Sequence, residues 1–552
     1  MKNATSIGFR GVVRRLVRVG CGVLACTAFG AANSADFLYT VQSGDHPWNL
    51  AQRFLNNPKL GPQLLQLNQI RDDRRIMPGV KLRIPHDWLR LQTTQVRVVA
   101  VFGDITQRAT GSSQRLVQAG ELLKSPLTLR TGDTGSATLQ FADGTRVLMR
   151  RDSELELRQA GQRVLGHASL VQLFLLYGSL ENQVTPILES GGRFEIRTPA
   201  AVAAVRGTRF RVSAFGTELR TEVLDGVVNL DTGVGQLNAN AGQGAVSQRG
   251  QSPDGLPTLL LAAPSLDGLP ERIERLPIDL PLPALTGAAA YRTQLAPDAD
   301  FSVLTSDESS VSARIRARDV ADGRYFLRVR AIDARGLEGF SAQQTVVIHA
   351  RPASPLMIEP APLAVTDNAR PVFRWALGAV GWRYRLQITA MSTQLRVDDQ
   401  IVQAQDSTQP LQDLPPTTYQ WRVAAIHPDT GQGPWSDLQT FRRVLPGPGV
   451  APVQVNDGTT TLRWPGQEQV AHYHLQVARD SSFTPPLVDV QPEVAQHPLQ
   501  GLTPGTYHVR VQTIGSDGYT GPWGGTQTFV VPEPAFAGWR ALLLLVPLIA
   551  FL

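Results

Sequence analysis

The side chains that most readily do chemistry form no recognised catalytic pattern in this chain. No Gly-x-Ser-x-Gly elbow, His-Glu-x-x-His pair or phosphate-binding glycine loop occurs. His472 and His474 lie two residues apart on one face of a predicted strand, where two imidazoles could begin a metal site. The pattern supplies no third ligand, so we interpret that face as solvated. We therefore predict that the protein is not an enzyme and has no catalytic residue, metal or cofactor.

Two arginines on either side of a glycine form the other candidate site. Arg206 and Arg209 bracket Gly207, and guanidinium groups so placed could bind a carboxylate or a phosphate of a glycan. Exposed ion pairs are common and weak. We therefore expect a structural role, with Arg209 on the wet face of a strand and paired to Glu195 or Glu222.

The strands that carry these residues show an alternating pattern. Residues 208–212 and 137–141 alternate apolar with polar side chains, which is typical of strands with one buried and one wet face. Arg209 and Arg211 belong to the predicted wet face of the first strand, and Thr138 to that of the second.

Two Asp-Gly pairs are predicted to turn the chain. Asp143-Gly144 follows the alternating segment 137–141 and is typical of a two-residue hairpin, because both positions tolerate positive φ. Asp225-Gly226 repeats the device. Both aspartates are predicted turn residues and not a catalytic carboxylate pair.

Length and charge limit the kind of protein this is. With 552 residues, 49 glycines and 39 prolines, the chain is predicted to form several domains built from short strands and turns. The formal charge is +6, but five basic residues and no acidic residue lie in the first 35 positions. The rest of the chain has 48 basic against 47 acidic residues, which gives no support to a nucleic-acid partner.

Residues 1–35 have the features of a secretory signal peptide: basic residues up to Arg18, an apolar run, and small residues before Ala35. The run of about 14 apolar residues is shorter than the roughly 20 that cross a bilayer. Both cysteines, Cys21 and Cys26, lie in this segment, so a chain cleaved after Ala35 has no thiol. A lipid-anchored chain that begins at Cys26 is the alternative.

Residues 38–86 are predicted to form a strand, two helices and a returning strand. They resemble a LysM domain in Tyr39-x-Val41-x-x-Gly44-Asp45, Trp48, Leu67-Asn68 and Ile76-x-Pro78-Gly79-x-x-Leu82-x-Ile84-Pro85. The pattern departs from the family at His46-Pro47, where Ser or Thr and then Leu are usual. The resemblance implies a small βααβ fold that binds peptidoglycan or a related N-acetylglucosamine glycan.

The resemblance also implies where the glycan would bind. Its groove would lie between the loop of residues 44–48 and the loop of residues 68–78, and would contact the sugar mainly through backbone groups. The predicted glycan-binding residues are Gly44, Asp45, His46, Trp48, Asn68, Ile76 and Pro78.

Residues 95–232 resemble a FecR-type domain. The resemblance is carried by Gly132-Asp133-x-Gly135-Ser136-Ala137-x-Leu139-x-Phe141-x-Asp143-Gly144-Thr145, Gly178-Ser179-Leu180, Phe194-x-Ile196-x-Thr198-Pro199-Ala200, Val205-Arg206-Gly207-Thr208-x-Phe210 and Val223-Leu224-x-Gly226-x-Val228. It implies an all-β, extracytoplasmic interaction domain. Members that give the family its name signal through a membrane to a sigma factor. We expect this chain to lack that role, because only about 18 residues precede the apolar run, too few for a domain with its own core.

The C-terminal half contains a threefold repeat. Residues 233–275 are predicted to be a Gly- and Pro-containing linker, and Tyr325, Tyr419 and Tyr507 then lie in similar segments, 94 and 88 residues apart. The repeats resemble fibronectin type III domains, with a strand-B tryptophan in the second and third copies. We place these β-sandwiches at residues 276–350, 355–445 and 450–532.

The apolar end of the chain, residues 535–552, resembles the tail of PEP-CTERM proteins without its basic cluster, and is predicted to contact a membrane or to be processed. The whole sequence therefore predicts a mainly-β, multidomain protein exported to the periplasm or cell envelope. It would bind peptidoglycan through LysM and act as an interaction scaffold for unknown envelope proteins. The alternatives are an extracytoplasmic sensor that uses the FecR-type domain, and an accessory factor of a cell-wall hydrolase.

Overall fold

A computed structural model describes residues 36–533, with gaps at 72–75, 110, 190, 254–255, 452–454, 457–458, 468–469 and 517. The predicted signal peptide and apolar tail lie outside the described residues. Among those residues the chain is mainly β, with two α-helices and many short strands, which confirms the predicted fold class. No helix in the described part is long and apolar enough to cross a membrane.

The described chain divides into two compact units. The first comprises residues up to 269 together with 279–318 and 325–345, and the second comprises 270–278, 319–324 and 346 onward. Each unit is described separately below.

The N-terminal residues of the first unit form a small βααβ fold, as predicted. Its elements are β1 (Phe37–Thr40), α1 (Pro47–Phe54), a 3-10 turn (Pro58–Leu60), α2 (Gly61–Leu67) and β2 (Lys81–Ile84). The strands pair antiparallel, with Phe37 opposite Ile84 and Thr40 opposite Lys81. Leu50, Ala51 and Leu64 from the two helices pack on the sheet and form a buried apolar core.

The rest of the first unit is dominated by a sheet whose strand ladder closes on itself. Strands β3 to β20 are, in chain order, Leu91–Thr93, Val96–Phe102, Ile105–Ala109, Arg115–Leu116, Leu122–Leu123, Leu127–Thr131, Ser136–Gln140, Arg146–Met149, Glu154–Arg163, Ser169–Gln183, Arg193–Arg197, Val202–Val205, Arg209–Phe215, Glu218–Asp225, Val227–Asp231, Gln236–Asn240, Gln243–Gln248 and Thr258–Leu259. The long β12 is central, because β10, β11, β13 and β15 all pair with it.

The predicted linker covers residues 233–275. Its first part forms strands, so the linker prediction is wrong there. Strand β18 pairs with β17, and β19 pairs with β16. Ala239 and Ala245 point into the core and are almost fully buried. The Gly- and Gln-rich composition concealed these strands, because small alanines rather than large apolar residues fill their inward positions.

The predicted wet faces are only partly covered in the structure, since Arg209 is exposed as expected. Phe210 and Val212 are buried as expected, but Arg211 is also buried, only 2% exposed. Its guanidinium donates to the backbone oxygens of residues 338 and 339. Thr138 is buried as well, and donates to the carbonyl of Ser302 at 2.6 Å. The prediction fails at Arg211 and Thr138 because segments far along the chain, within the same unit, pack on them.

The two Asp-Gly turns also differ from the prediction. Asp143-Gly144 does turn a hairpin between β9 and β10, but the loop has a third residue: Phe141 N donates to Thr145 O, and Gly144 at φ +88° follows a tight turn. Strands β16 and β17, on either side of Gly226, do not pair with each other. They pair with β15 and β14 respectively, so this turn moves the chain between neighbouring ladders.

Strands β21 to β27 form a five-stranded and a two-stranded sheet. They are Arg272–Ile273, Ile278–Pro281, Ala290–Ala296, Ser306–Ser310, Arg314–Ala317, Gly323–Ile332 and Glu338–Ile348. The central pairing is antiparallel, with Tyr291 opposite Ala331 and Leu295 opposite Leu327.

The remaining strands form two further β-sandwiches in the second unit. Strands β28 to β36 are Met357–Glu359, Ala364–Thr366, Phe373–Trp375, Arg383–Ala390, Arg396–Gln403, Ser407–Thr408, Thr417–His427, Gly431–Trp435 and Gln439–Arg443. Strands β37 to β43 are Val455–Asn456, Thr459–Arg463, Val470–Ala478, Val488–Val490, Gln496–Gln500, Gly505–Gly515 and Gln527–Val531.

Side-chain contacts in both sandwiches match the predicted repeat. Trp375 and Trp464 are buried in their cores, against Tyr384 and Tyr473 respectively. The hydroxyl of Tyr419 donates to a backbone oxygen four residues earlier, at 2.6 Å, and Tyr507 repeats this contact at the same distance. This is the tyrosine corner that fibronectin-like sandwiches share.

Candidate functional site

Two surface loops meet at one end of the β1/β2 sheet. Val41 donates to the carbonyl of Val80 at 2.9 Å, and Gly79 donates to the carbonyl of Val41 at 2.8 Å. These bonds hold residues 42–46 next to residues 76–80. Gly44 and Gly79 both have positive φ, +87° and +91°, so glycine is needed there for the backbone shape of each loop.

Asp45 organises the first loop from a largely buried position. Its carboxylate accepts hydrogen bonds from the Tyr39 hydroxyl at 2.7 Å and the Gln42 N–H at 2.8 Å, and pairs with Arg53 at 3.3 Å. Burial raises the pKa of Asp45, but these donors outweigh burial and lower it overall. Both oxygens accept hydrogen bonds from the protein, so this predicted glycan-binding residue shapes the loop.

His46 begins α1 and explains the departure from the LysM pattern. Its ring nitrogen accepts from the Trp48 N–H, and its own N–H donates to Asn49 Oδ1 at 2.8 Å. These reciprocal contacts form a capping box in which histidine takes the usual role of Ser or Thr. Pro47 occupies the first helical position, where its missing N–H costs nothing.

The exposed apolar surface of the site comes from Trp48 and the second loop. The Trp48 side chain is 53% exposed although it lies near the start of a helix. Met77 is 68% exposed, Pro78 is exposed, and Ile76 is half-buried. An exposed indole is suited to stacking on a sugar ring, because it offers a broad apolar face at little cost in conformational entropy.

Asn68 lies apart from this surface and has a structural role. Its amide donates to the carbonyl oxygens of Leu64 at 2.8 Å and Arg83 at 2.9 Å, and its oxygen accepts from the Arg83 N–H at 2.7 Å. These bonds fasten the end of α2 to β2. The structure thus places Gly44, His46 and Pro78 on adjoining loops and commits the Asn68 side chain to the fold.

Sequence reasoning missed a shallow hollow of about 560 Å³ beside α2. It is lined by Pro62, Leu65, Gln66, Gln69, Ile70 and Arg71. The signal in the sequence is the two polar side chains of Gln66 and Gln69 at the end of α2.

The other candidate residues do not assemble into a site of their own. His474 contacts Asp489 and Gln512, the latter at 2.9 Å, and its ring lies 4.9 Å from that of Trp523. Within the described ranges, no group of three His, Cys, Asp or Glu side chains could hold a metal ion. His472, on the same strand face, is half-buried.

The two arginines beside Gly207 differ from the predicted pairing. Arg209 is exposed, but Glu195 is held instead by Arg193 and Arg197. Glu222 faces Arg211 at 3.5 Å. The expected ion pairs of Arg209 are therefore absent among the described residues.

Two family models match parts of the chain. Residues 39–85 match the LysM domain model, and residues 127–229 match the FecR protein model. These matches confirm the predicted combination of a LysM domain with a FecR-type domain. No curated protein matches the chain.

Solved structures show local similarity only. A protein described as an anti-sigma factor from Parabacteroides distasonis is 17% identical, with 24% of this chain and 59% of that chain covered and a TM-score of 0.20. The FN1–FN3 domains of chicken CNTN1 are 19% identical, with coverage of 48% and 97% and a TM-score of 0.18. A two-domain fibronectin type III segment of chicken tenascin is 16% identical, with coverage of 33% and 99% and a TM-score of 0.23. Similarities of this size carry nothing about function.

Proposed function

We propose that this chain is an exported, non-catalytic protein of the cell envelope that binds peptidoglycan, or a related N-acetylglucosamine glycan, through residues 38–86. LysM domains bind such glycans, and the match at residues 39–85 supports the assignment. The observation that carries it is the pair of adjoining loops, which presents an exposed Trp48 beside accessible backbone.

The backbone of the first loop has donors to spare. Within the described part of the chain, the N–H groups of Ser43 and Gly44 donate no hydrogen bond, and both residues are exposed. A glycan hydroxyl or acetamido oxygen could accept from them, while the Trp48 indole covers a sugar face. The glycan-binding residues we propose are Gly44, His46, Trp48 and Pro78. Asp45 shapes the first loop, Asn68 fastens α2 to β2, and Ile76 packs against the core.

The remaining modules are proposed as an interaction scaffold in the periplasm or cell envelope. These modules are the FecR-type region, predicted at residues 95–232, and the three fibronectin-like sandwiches. Their partners would be other envelope proteins. The proposed signal sequence and membrane-contacting tail are supported by the sequence alone.

Calorimetric titration of the full chain with an N-acetylglucosamine tetramer tests the glycan proposal. Trp48→Ala should weaken binding at least fivefold, since a lost stacking contact is worth about 1 kcal/mol. Phe215→Ala is the matched control, because that ring is also half exposed but lies on β15. Absence of binding by the unaltered chain, or equal effects of both substitutions, would rule out this site.

A second function is favoured by the FecR match. An extracytoplasmic sensor would transmit glycan binding into the FecR-type region, so hydrogen exchange of β9 to β15 should change when the tetramer is added. A change confined to residues 36–93 would leave the scaffold role and exclude the sensor role.

A further inference from the structure

A polar cavity of about 460 Å³ lies within the first unit, away from the LysM loops. Its walls come from β10, β12 and β15 on one side, and from residues 299–302, β26 and β27 on the other. Five arginines line it: Arg146, Arg209, Arg211, Arg328 and Arg330. The volume is in the range of small-molecule sites.

The two acidic residues of the lining already form ion pairs with three of these arginines. Glu181 is shared by Arg328 at 3.0 Å and Arg330 at 2.8 Å. Asp300, which is exposed, pairs with Arg146 at 3.4 Å. The lining therefore carries more positive than negative charge.

Arg211 is the buried group that these contacts leave incompletely satisfied. One terminal nitrogen donates to backbone oxygens of residues 338 and 339, and Nε lies 3.5 Å from the Glu222 carboxylate. Its other terminal nitrogen, Nη1, is buried and has no hydrogen-bond partner among the described residues. A buried, charged donor without an acceptor is costly, so an anion that reached it would be stabilised strongly.

Crowding of like charges points the same way. Burial, together with the charge of nearby Arg330, lowers the pKa of Arg211 and lowers that of Arg328 to about 9. A negative charge in the cavity would stabilise the charged form of both guanidinium groups. Access is from the rim, where Gln183, Arg209 and Gln343 are exposed.

We propose that this cavity binds a small polar organic anion, whose carboxylate or phosphate is held by Arg209 at the rim and by Arg211 and Arg328 at depth. No described residue forms an ion pair or a side-chain hydrogen bond with the Arg209 guanidinium, so this group is available to bind an anion at the rim. Arginine suits this role because its planar donors match the geometry of either oxyanion. The site is independent of the proposed LysM function.

Matched ligand pairs identify the anion. The full chain carrying Trp48→Ala, which weakens the LysM site, is titrated with N-acetylmuramic acid against N-acetylglucosamine, and with glucose 6-phosphate against glucose. We expect one charged member to bind and its neutral counterpart not to bind. If the cavity binds a carboxylate, only N-acetylmuramic acid should bind. If it binds a phosphate, only glucose 6-phosphate should bind.

The residue test uses two arginines three positions apart. Arg209→Gln should weaken binding of that anion about tenfold, as expected for a lost charge-assisted hydrogen bond. Arg206→Gln is the control, because Arg206 is exposed but does not line the cavity. No binding of either charged ligand at millimolar concentration, or equal weakening by both substitutions, would overturn the proposal.

Discussion

Arg150 offers the sharpest test of what holds the first unit together. Its side chain is 5% exposed, with Nε 2.7 Å from Asp307 and Nη1 2.9 Å from Glu338. Burial lowers the pKa of Arg150, but the charges of these carboxylates outweigh it and raise the pKa overall. Asp307 and Glu338 come from β24 and β27, so the pairs fasten those strands to the end of β10.

Arg150→Met removes one partner and leaves two buried carboxylates. Breaking a buried pair in this way costs about 3–5 kcal/mol. Arg292 remains 2.8 Å from Asp307 and 2.7 Å from Glu338, so we expect the lower end, about 3 kcal/mol. Arg151→Met is the control: that side chain is 36% exposed and 3.9 Å from Glu308, so its loss should cost less than about 1 kcal/mol.

Hydrogen exchange measured by mass spectrometry reads this out locally, which suits a chain of several domains. In Arg150→Met, peptides from β10 and β24 should exchange about a hundredfold faster, while β42 and β43 should be unchanged. If Arg150→Met and Arg151→Met gave the same exchange, the buried network would contribute no more than a surface pair, and the reasoning would be refuted.

Three further substitutions test individual contacts. Asp45→Asn should lower the stability of the LysM fold by about 1–2 kcal/mol, since it weakens the acceptor of the Tyr39 hydroxyl; hydrogen exchange of β1 measures it, and unchanged exchange would contradict the assigned role. Burial raises the pKa of Glu222 to about 7, so its contribution to stability is complete below about 4.5 and is lost as pH rises through 7. Glu222→Gln should therefore reduce the loss of β16 protection between pH 5.5 and 8.5, and an unaltered pH profile would count against this. Tyr507→Phe removes the hydrogen bond to the carbonyl of Thr503, so the free energy of unfolding of this sandwich should fall by about 1 kcal/mol. Urea denaturation followed at β42 measures it, and an unchanged midpoint would show that this hydrogen bond does not stabilise the sandwich.

The sequence predicted those parts of the fold that short-range patterns determine. The βααβ unit follows from helix-start and turn residues within 50 positions, and the repeated tyrosines follow from a spacing typical of one sandwich. Of the predicted glycan-binding residues, Gly44, Asp45 and His46 lie on one loop, and their role in glycan binding stays a prediction. That Asp45 and Asn68 are committed to the fold depends on side-chain geometry that a motif does not contain.

The errors share a physical cause, which is contact between distant segments. Arg211 looks like a surface residue because its own strand alternates, yet residues 338 and 339 cover it from more than 120 positions away. The cavity and its free Arg209 could not be foreseen for the same reason. Strands β18 and β19 were missed because their inward residues are alanines, which give little hydrophobic signal.

Co-sedimentation with purified peptidoglycan sacculi tests the central claim most directly. The full chain, Trp48→Ala and Phe215→Ala are incubated with sacculi under identical conditions, and the bound fraction is measured over a range of sacculus concentrations. Glycan binding through the LysM loops predicts that the unaltered chain and Phe215→Ala sediment alike, while Trp48→Ala needs at least fivefold more sacculi for half-saturation. Equal sedimentation of all three proteins, or none by the unaltered chain, would contradict it.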